Sequence, residues 1–309
     1  MTSIGARAIG GPTPAREELL HTPDDEWLHL EHFDAVSPPA RLIVVFVHGF
    51  SAYATPYRHV AQALCEVGCA VTLYDARGHG HSTGRRGYVA RFADYAEDLE
   101  RVVAIAQAAH PGLPFALIGH SQGGAVLLDY LLPERPQPQR PVPACAVLAA
   151  PMLEITVPIP WVKRIFSHVF GPLFPRVALG NGITGEMASR NDDVRRAIMR
   201  DPLIHHVGTY RWFSEATGTM RRLNFSAEKL NVPTLLMTAG SDRIVSPQAQ
   251  DVFARRAPTA LLEQRRYPAL FHEVFLEPER DQLVDDMTAW IVSMTRGRYG
   301  DAATGMSGR

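Results

Sequence analysis

The chain has 309 residues, of which 46% are hydrophobic and 20% are charged, a composition typical of a globular protein. This length is sufficient for one large domain with an insertion. The formal net charge of -1 at pH 7 makes a polyanionic partner such as a nucleic acid unexpected, and no stretch approaches the roughly 20 apolar residues that span a bilayer.

The N-terminal residues predict little order before the first strand. Met1 to Pro14 is rich in Gly, Ala and Pro, and we expect residues 1–20 to be flexible. Met1 to Glu18 lacks an apolar core of signal-peptide length, so no secretory leader is predicted. From Trp27 to Phe33 apolar and polar residues alternate, which predicts an antiparallel strand.

From residue 42 onward, the sequence predicts strands that alternate with helices. Leu42 to Val47 is a continuous apolar run, typical of a buried parallel strand. Further strands are predicted at Ala70 to Tyr74, Phe115 to Ile118, Ala144 to Ala149, Thr234 to Thr238 and Leu261 to Tyr267. Helices are predicted at Tyr57 to Val67, Phe92 to Ala109, Ala125 to Leu132, Pro247 to Arg256 and Arg280 to Met294. The first two have one apolar face each, formed by Val60, Ala61 and Leu64 in the first and by Leu99, Val102, Val103 and Ala106 in the second. The alternation predicts an α/β fold with a mostly parallel central sheet flanked by helices.

The alternation fails between Pro151 and about Leu230, a segment too long for a simple loop. Its large aromatic residues include Trp161, Phe166, Phe170, Phe174, Trp212 and Phe213. We expect a helical cap over the carboxyl ends of the strands, where open α/β sheets bind ligands. The predicted division is a core of residues 21–150 and 231–296, a cap of residues 151–230 and a flexible tail of residues 297–309.

The cysteines indicate a reducing compartment. An odd, low count, Cys65, Cys69 and Cys145, is typical of free thiols and predicts a cytoplasmic protein. Cys65 and Cys69 lack the second Cys or His pair that a zinc site needs, so no metal is predicted.

The pentapeptide Gly119-His120-Ser121-Gln122-Gly123 lies between a predicted strand and a predicted helix. This is the nucleophile-elbow pattern, in which a sharp turn raises a serine hydroxyl above the edge of a sheet. Gly119 and Gly123 lack the Cβ atoms that would collide in so tight a turn. We therefore predict Ser121 as a nucleophile and the Gln122 N–H as an oxyanion-hole donor. A plain glycine-rich turn before a helix is the alternative.

A serine nucleophile needs a base within hydrogen-bond reach, and that base needs a carboxylate to orient it. Asp242 follows one predicted strand downstream of Ser121, and His272 lies in the loop after the next strand. The order Ser, acid, His is the order that this architecture uses. We predict Asp242 as the acid and His272 as the base.

Other titratable residues are weaker candidates for these roles. They are His110, His120, His205, His206, Asp251 and Glu273. The histidines lie in the insertion, at a helix end or inside the pentapeptide, whose backbone would hold His120 away from the serine hydroxyl. The carboxylates lie in or beside predicted helices, where surface charges are common.

The loop after Leu42 to Val47 begins with His48-Gly49-Phe50. A second oxyanion donor usually comes from this strand-to-helix loop, so we assign it to the Phe50 N–H. A simple turn at Gly49 is the alternative. We expect His48 to support the loop and not to react.

Five motifs occur in order over about Trp27 to Met294. They are His48-Gly49, Asp75-x-Arg77-Gly78-His79-Gly80-x-Ser82, Gly119-His120-Ser121-Gln122-Gly123-Gly124, Gly240-x-Asp242-x-Ile244-Val245 and His272-Glu273. Together they resemble the monoacylglycerol lipase and lysophospholipase branch of the α/β-hydrolases. The segment from Arg190 to His206 also resembles the cap region of these enzymes.

The resemblance implies Ser121 as nucleophile, His272 as base, Asp242 as acid, and the Phe50 and Gln122 amides as oxyanion hole. It implies a serine-dependent carboxylic ester hydrolase that acts on a small lipid-like monoacyl ester through an acyl-enzyme. No metal or organic cofactor is expected, and transient contact with a membrane surface is compatible with such a substrate.

Three alternatives keep the fold and change the function: an amidase or peptidase, an acyltransferase, and a non-catalytic ligand-binding protein. Degenerate members usually lose the Ser or the His, and both are present here. An aminopeptidase needs an acidic group at the pocket mouth to hold an amine, and the sequence alone does not place one. An epoxide hydrolase or dehalogenase would carry Asp in place of Ser121.

Overall fold

A computed structural model of the chain describes residues 11–158 and 173–299. The strands are β1 (Arg16–His21), β2 (Trp27–Phe33), β3 (Leu42–Val47), β4 (Cys69–Tyr74), β5 (Phe115–His120), β6 (Cys145–Ala149), β7 (Ala178–Gly180), β8 (Val207–Thr209), β9 (Thr234–Ala239) and β10 (Leu262–Tyr267). The α-helices are α1 (Arg58–Glu66), α2 (Ala93–Ala109), α3 (Gln122–Leu131), α4 (Gly185–Ala188), α5 (Asp192–Arg200), α6 (Tyr210–Phe225), α7 (Pro247–Arg256) and α8 (Arg280–Tyr299). Short 3₁₀ turns occur at Thr55–Tyr57, Ala227–Lys229 and Val274–Leu276.

Eight strands form one sheet in the order β1-β2-β4-β3-β5-β6-β9-β10. The strands from β4 to β10 in this order are parallel, whereas β1 and β2 are antiparallel to their neighbours. Strands β3, β4, β5, β6 and β9 are buried along their whole length, because helices flank the sheet. The predicted mostly parallel sheet flanked by helices is confirmed.

The helix faces predicted to be apolar are the buried ones. In α1 the buried residues include Val60, Ala61 and Leu64, and in α2 they include Leu99 and Val102. Helix α1 packs against β4 and α8, and α2 packs against α3. The 3.6-residue period of apolar side chains therefore located both faces correctly.

Two regular elements extend into the terminal segments for which we predicted flexibility. Strand β1 lies within residues 1–20, for which we expected flexibility, and it pairs with β2 from Arg16 to His21. Its side chains are largely exposed at the sheet edge, so no apolar alternation revealed it. Helix α8 continues to Tyr299, past the predicted end at Met294 and into the predicted tail. One glycine in a helix costs only about 1 kcal/mol, so Gly297 does not stop it.

The order of the strands creates a crevice between β3 and β5. The chain leaves β3 toward β4 on one side, and it leaves β5 toward β6 on the other. Open α/β sheets bind their ligands at such a switch point, outside the carboxyl ends of the strands. The loops that follow β3, β5, β9 and β10 all emerge at this edge.

The described part of the insertion is attached to the core at several points over this edge. Ile155 forms an isolated antiparallel bridge with Val245, and the Tyr53 hydroxyl donates to Asp201 at 2.6 Å. Arg190 pairs at 2.5 Å with Glu277, whose side chain is fully buried. The predicted cap aromatics Trp161, Phe166 and Phe170 lie outside the described residues. The domain boundaries stay predictions.

No helix within residues 11–158 and 173–299 has both the length and the apolar character needed to cross a membrane.

Candidate active site

Strand β5 ends in a tight turn that its flanking glycines permit. Ser121 has φ 54° and ψ −116°, in the left-handed region that residues with side chains rarely adopt. A Cβ atom on Gly119 would collide with the Gly123 carbonyl, and one on Gly123 would collide with the Val47 carbonyl at the end of β3. The turn therefore brings Ser121 against the loop that follows β3.

Three side chains from three loops form a continuous chain of hydrogen bonds. Ser121 Oγ lies 2.8 Å from Nε2 of His272, and Nδ1 of His272 lies 2.7 Å from Oδ2 of Asp242. The other oxygen of Asp242 accepts the N–H groups of Ile244 and Val245 at 2.8 and 3.0 Å. With its carboxylate fixed in this way, Asp242 receives Nδ1–H of His272, and the Nε2 lone pair is left facing the Ser121 hydroxyl.

The electrostatics of the site favour proton uptake by His272. Burial disfavours the imidazolium, but the negative charge of Asp242 and its hydrogen bond outweigh burial and raise the pKa of His272 above its ordinary value. Ser121 and His272 are each only 4% exposed, so their contact is shielded from bulk water. Such an arrangement can deprotonate a serine hydroxyl as it attacks a carbonyl carbon.

The loop after β3 places its backbone beside Ser121. A Cβ atom on Gly49 would lie 3.1 Å from the Cβ of Ser121. The buried His48 donates Nδ1–H to the Gly49 carbonyl at 2.8 Å, and its Nε2 accepts the Ala76 N–H at 2.9 Å. The Gly49 carbonyl and the Phe50 N–H belong to one trans peptide and point in opposite directions. His48 therefore also fixes the direction of the Phe50 N–H.

The second N–H predicted for the oxyanion hole, that of Gln122, lies at the start of a helix. Gln122 is the first residue of α3, and its N–H is one of the helix-start groups that have no partner inside the helix. Such groups are suited to a developing negative charge. The two backbone amides assigned from the sequence thus come from loops that meet at Ser121.

His120 has a role that the sequence did not reveal. Its Nε2–H donates to the His272 carbonyl at 3.0 Å, and the two rings lie 5.0 Å apart. Burial lowers the pKa of His120, which keeps the ring neutral. His120 therefore supports the loop that carries His272. No sequence pattern pairs a histidine with a backbone carbonyl 152 positions away.

The histidines and carboxylates that were weaker candidates for the base and the acid lie outside the hydrogen-bond chain of Ser121, His272 and Asp242. His110 ends α2, and Asp251 on α7 pairs with Arg266 at 2.6 Å. His206 and Glu273 line the cavity described next, although the sequence had indicated a surface charge at Glu273. His205 lies against Phe50, with ring centroids 5.0 Å apart.

A cavity of about 160 Å³ opens beside Ser121 and His272. Its walls are mostly apolar, and most of them come from the insertion. The apolar residues of the insertion in this lining are Met152, Ile155, Val157, Leu179, Ile183, Ala188, Ile198, Ile204, Trp212 and Phe213. The core adds Phe50, Ala52, Ile244 and Val245. An apolar group can therefore be bound next to the serine hydroxyl.

Polar side chains also line the cavity. Besides Ser121 and His272, they include Ser51, Asn181 and Glu273. Glu273 accepts the Tyr57 hydroxyl at 2.9 Å. Within the described residues, no group of three or more His, Cys, Asp or Glu is arranged to hold a metal ion.

Comparison with known proteins identifies the family to which the chain is similar. A family model described as serine aminopeptidase, S33, matches residues 38–279. The chain is 32% identical over 255 residues to a monoacylglycerol lipase of Mycolicibacterium smegmatis, covering 82% of this chain and 89% of the relative. It is 27% identical over 242 residues to phospholipase YtpA of Bacillus subtilis, covering 78% of this chain and 91% of that one.

Solved structures show the same fold. A monoacylglycerol lipase from Paleococcus ferrophilus superposes with a TM-score of 0.75 at 25% identity, covering 86% of this chain and 99% of that one. A monoglyceride lipase variant from Saccharomyces cerevisiae, in complex with a substrate analogue, superposes with a TM-score of 0.79 at 21% identity, covering 92% and 99%.

Proposed function

The chain belongs to the serine aminopeptidase S33 family, in the monoacylglycerol lipase-like branch of the α/β-hydrolases, and we propose that it hydrolyses lipid-like monoacyl esters through Ser121. One observation carries the proposal: the hydrogen-bond chain from Asp242 through His272 to Ser121 opens into an apolar cavity. Relatives named as monoacylglycerol lipase and phospholipase support a lipid ester as the substrate class.

The reaction begins with attack of Ser121 Oγ on the acyl carbon while Nε2 of His272 takes the hydroxyl proton. The negative charge that develops on the carbonyl oxygen is received by the N–H groups of Phe50 and Gln122. Collapse of this intermediate breaks the ester bond, and the imidazolium returns its proton to the leaving alcohol. Water, deprotonated by His272, then cleaves the acyl-enzyme and releases the fatty acid.

The apolar walls of the cavity favour a medium or long acyl chain over an acetyl group. Each buried methylene contributes about 0.8 kcal/mol of transfer free energy. Part of that energy can hold the ester for attack, so chain preference is expected in kcat/KM. We expect a medium or long acyl ester to exceed the acetate by at least roughly tenfold, or about 1.4 kcal/mol.

The test is an activity panel with a serine variant. The panel contains p-nitrophenyl esters of increasing chain length, a monoacylglycerol and lysophosphatidylcholine, and it is repeated with Ser121→Ala. Removing the nucleophile should lower turnover by about 10⁴-fold or more while the thermal unfolding midpoint stays near that of the parent. Ser214→Ala, at an exposed serine on α6, is the matched control and should retain parental turnover.

The panel can also contradict the proposal. Ester turnover that persists in Ser121→Ala would remove this serine from the mechanism. A parent enzyme that prefers acetate would remove the lipid-like substrate and leave the serine-hydrolase assignment in place.

An aminopeptidase is the second candidate, and the position of Glu273 favours it. This carboxylate lines the cavity next to His272, where it could hold a substrate amine. Its hydrogen bond from Tyr57 and the apolar walls argue for the ester instead. Turnover of alanine p-nitroanilide above that of a decanoyl ester would select the aminopeptidase.

A further inference from the structure

Trp212 contacts both residues whose amides we assign to the oxyanion hole. Its indole ring stacks on the Phe50 ring, with centroids 3.8 Å apart and planes 22° from parallel. Its Nε1–H donates to the side-chain oxygen of Gln122 at 2.8 Å. Trp212 is 6% exposed and Gln122 is 1% exposed, so the hydrogen bond has little competition from water.

We infer that Trp212 is a positioning residue that holds the N–H groups of Phe50 and Gln122 at a fixed distance from each other, an inference that rests on the proposed function. The donors belong to loops at the ends of different strands, β3 and β5. An oxyanion hole works only when its N–H groups already point at the place where negative charge will develop. One indole that contacts both side chains fixes the distance between the two backbones.

Trp212 is itself fixed to the core at the start of α6. Its N–H donates to Oγ1 of Thr209, the N-cap of the helix, at 3.2 Å. The Thr209 hydroxyl and the Thr209 N–H both donate to the Gly87 carbonyl at 2.8 Å. Because Gly87 lies in a core loop, the hydrogen bonds from Trp212 to Thr209 and from Thr209 to Gly87 fix the position of the indole relative to the core.

Other residues of the insertion contact the same oxyanion loop. The Asn181 amide donates to Ser51 Oγ at 3.0 Å, and Ser51 has a positive φ of 65°. His205 meets the Phe50 ring edge-on. A residue in a left-handed conformation needs its surroundings to hold it there. The insertion therefore stabilises the loop that carries the Phe50 N–H, in addition to forming the walls of the cavity.

It follows that hydrolysis requires α6 to be seated. Displacement of the insertion would remove the indole from Phe50 and Gln122 at the same time. The donors would then lose their common support even though Ser121, His272 and Asp242 come from the core. The insertion thus acts on the chemical step as well as on substrate binding.

The test separates the hydrogen bond from the ring. Trp212→Phe retains an aromatic ring over Phe50 and removes the N–H, and Gln122→Met removes the acceptor at similar length. Each should lower kcat for p-nitrophenyl acetate about tenfold and leave KM within about twofold of the parental value. The expected loss in kcat is smaller than the factor of about 10²–10³ for removal of a whole oxyanion donor, because the N–H groups are displaced and not removed. Trp212→Ala should lower kcat further. The double variant Trp212→Phe/Gln122→Met should lose no more than either single variant.

A transition-state analogue gives a readout that a merely structural role would not move. Trifluoroacetone forms a hemiketal oxyanion with a serine and has no chain to reach the apolar walls. Its inhibition constant should rise in Trp212→Phe by the same factor as kcat/KM for acetate falls. Phe213→Leu, which changes the cavity wall on the same helix, should instead raise KM for the decanoate.

Two results would overturn the positioning role. One is a Trp212→Phe enzyme with kcat within about twofold of the parent, and the other is losses in the single variants that multiply in the double variant. These results differ from failure of the proposed function, in which Ser121→Ala would retain turnover. Should Trp212→Phe fold poorly, Gln122→Met and the inhibition constant decide the question.

Discussion

Asp242 affects His272 in two ways at the scale of single residues. Its hydrogen bond holds the Nδ1–H tautomer, and its charge raises the pKa of His272 against the effect of burial. The base is active only when neutral, so ester hydrolysis should increase as pH rises through the raised pKa. Removing the charge should shift this limb of the profile to lower pH.

Asp242→Asn is the corresponding test. The amide retains the shape but favours the wrong tautomer of His272, so kcat should fall about 10⁴-fold. The residual activity, measured from pH about 5 to 9, should rise at lower pH than in the parent.

Asp251→Asn is the matched control for this change, because Asp251 is another carboxylate and pairs with Arg266 outside the cavity. It should retain the parental rate and profile. If Asp242→Asn is nearly as active as the parent, a different carboxylate orients His272 and the assignment is wrong.

At the scale of elements, helix α5 illustrates how the insertion forms the cavity. Ile198 is half-buried and lines the cavity, whereas the next residue, Met199, is 52% exposed. The N-cap Asn191 accepts the N–H groups of Asp193 and Val194, and Tyr53 holds Asp201 at the other end of the helix. Helix α5 therefore has one face on the cavity and both ends fixed.

Ile198→Ser is expected to flatten the preference for long acyl chains. Complete burial of an isoleucine side chain is worth about 1.5–3 kcal/mol, so kcat/KM for a dodecanoyl ester should fall at least about fivefold. Acetate turnover should fall less, because a short acyl group does not need the wall.

Met199→Ser removes an apolar side chain from the exposed face of the same helix and should leave the chain-length profile as it is. Equal losses on dodecanoate and acetate in Ile198→Ser would show that the side chain does not contact the acyl group.

At the scale of the whole molecule, buried histidines link stability to pH. Burial lowers the pKa of His79 well below its ordinary value and lowers the pKa of His205 to about 4. Burial also lowers the pKa of His48. The His79 ring lies 5.2 Å from that of His48 in the core and 4.8 Å from that of His205 in the insertion. Protonation of this group would place like charges between the core and the insertion.

The free energy of unfolding should therefore fall as pH decreases from about 6.5 to about 4. A histidine whose pKa is lower in the folded chain makes its full contribution to stability at pH values above its unfolded pKa. Below that pKa the unfolded chain binds more protons than the folded chain, so the free energy of unfolding falls. Each such histidine contributes a slope of up to about 1.4 kcal/mol per pH unit in that window. His29 and His272 have raised pKa values and act in the opposite direction, but His32, His48, His59, His79, His120 and His205 have lowered values.

Urea unfolding at a series of pH values would measure this slope. His79→Gln should reduce it whatever its effect on stability at neutral pH, and His21→Gln, at an exposed position, is the control. A slope that is the same in His79→Gln and the parent would exclude His79 as a source of the acid sensitivity.

The sequence by itself determined the fold class, the family and the buried faces of helices α1 and α2. These depend on local patterns: continuous apolar runs for strands such as β3, helical spacing in α2, and the glycines around Ser121. The exposed strand β1 was missed because an edge strand need not alternate apolar and polar residues. The roles of Ser121, His272 and Asp242 stay predictions, which Ser121→Ala and Asp242→Asn test.

Only the tertiary structure decided which distant residues meet. His272 reaches Ser121 across 151 positions, His120 supports the His272 carbonyl, and Trp212 reaches Gln122 across 90 positions. Such contacts depend on the order of strands in the sheet and on where the insertion rests. Neither the strand order nor the position of the insertion produces a periodic pattern in the sequence. A side chain that contacts a distant backbone group or ring can occupy any position in the chain, so local sequence does not predict the contact. The oxyanion support from α6 and the histidine contacts between core and insertion could therefore be found only in three dimensions.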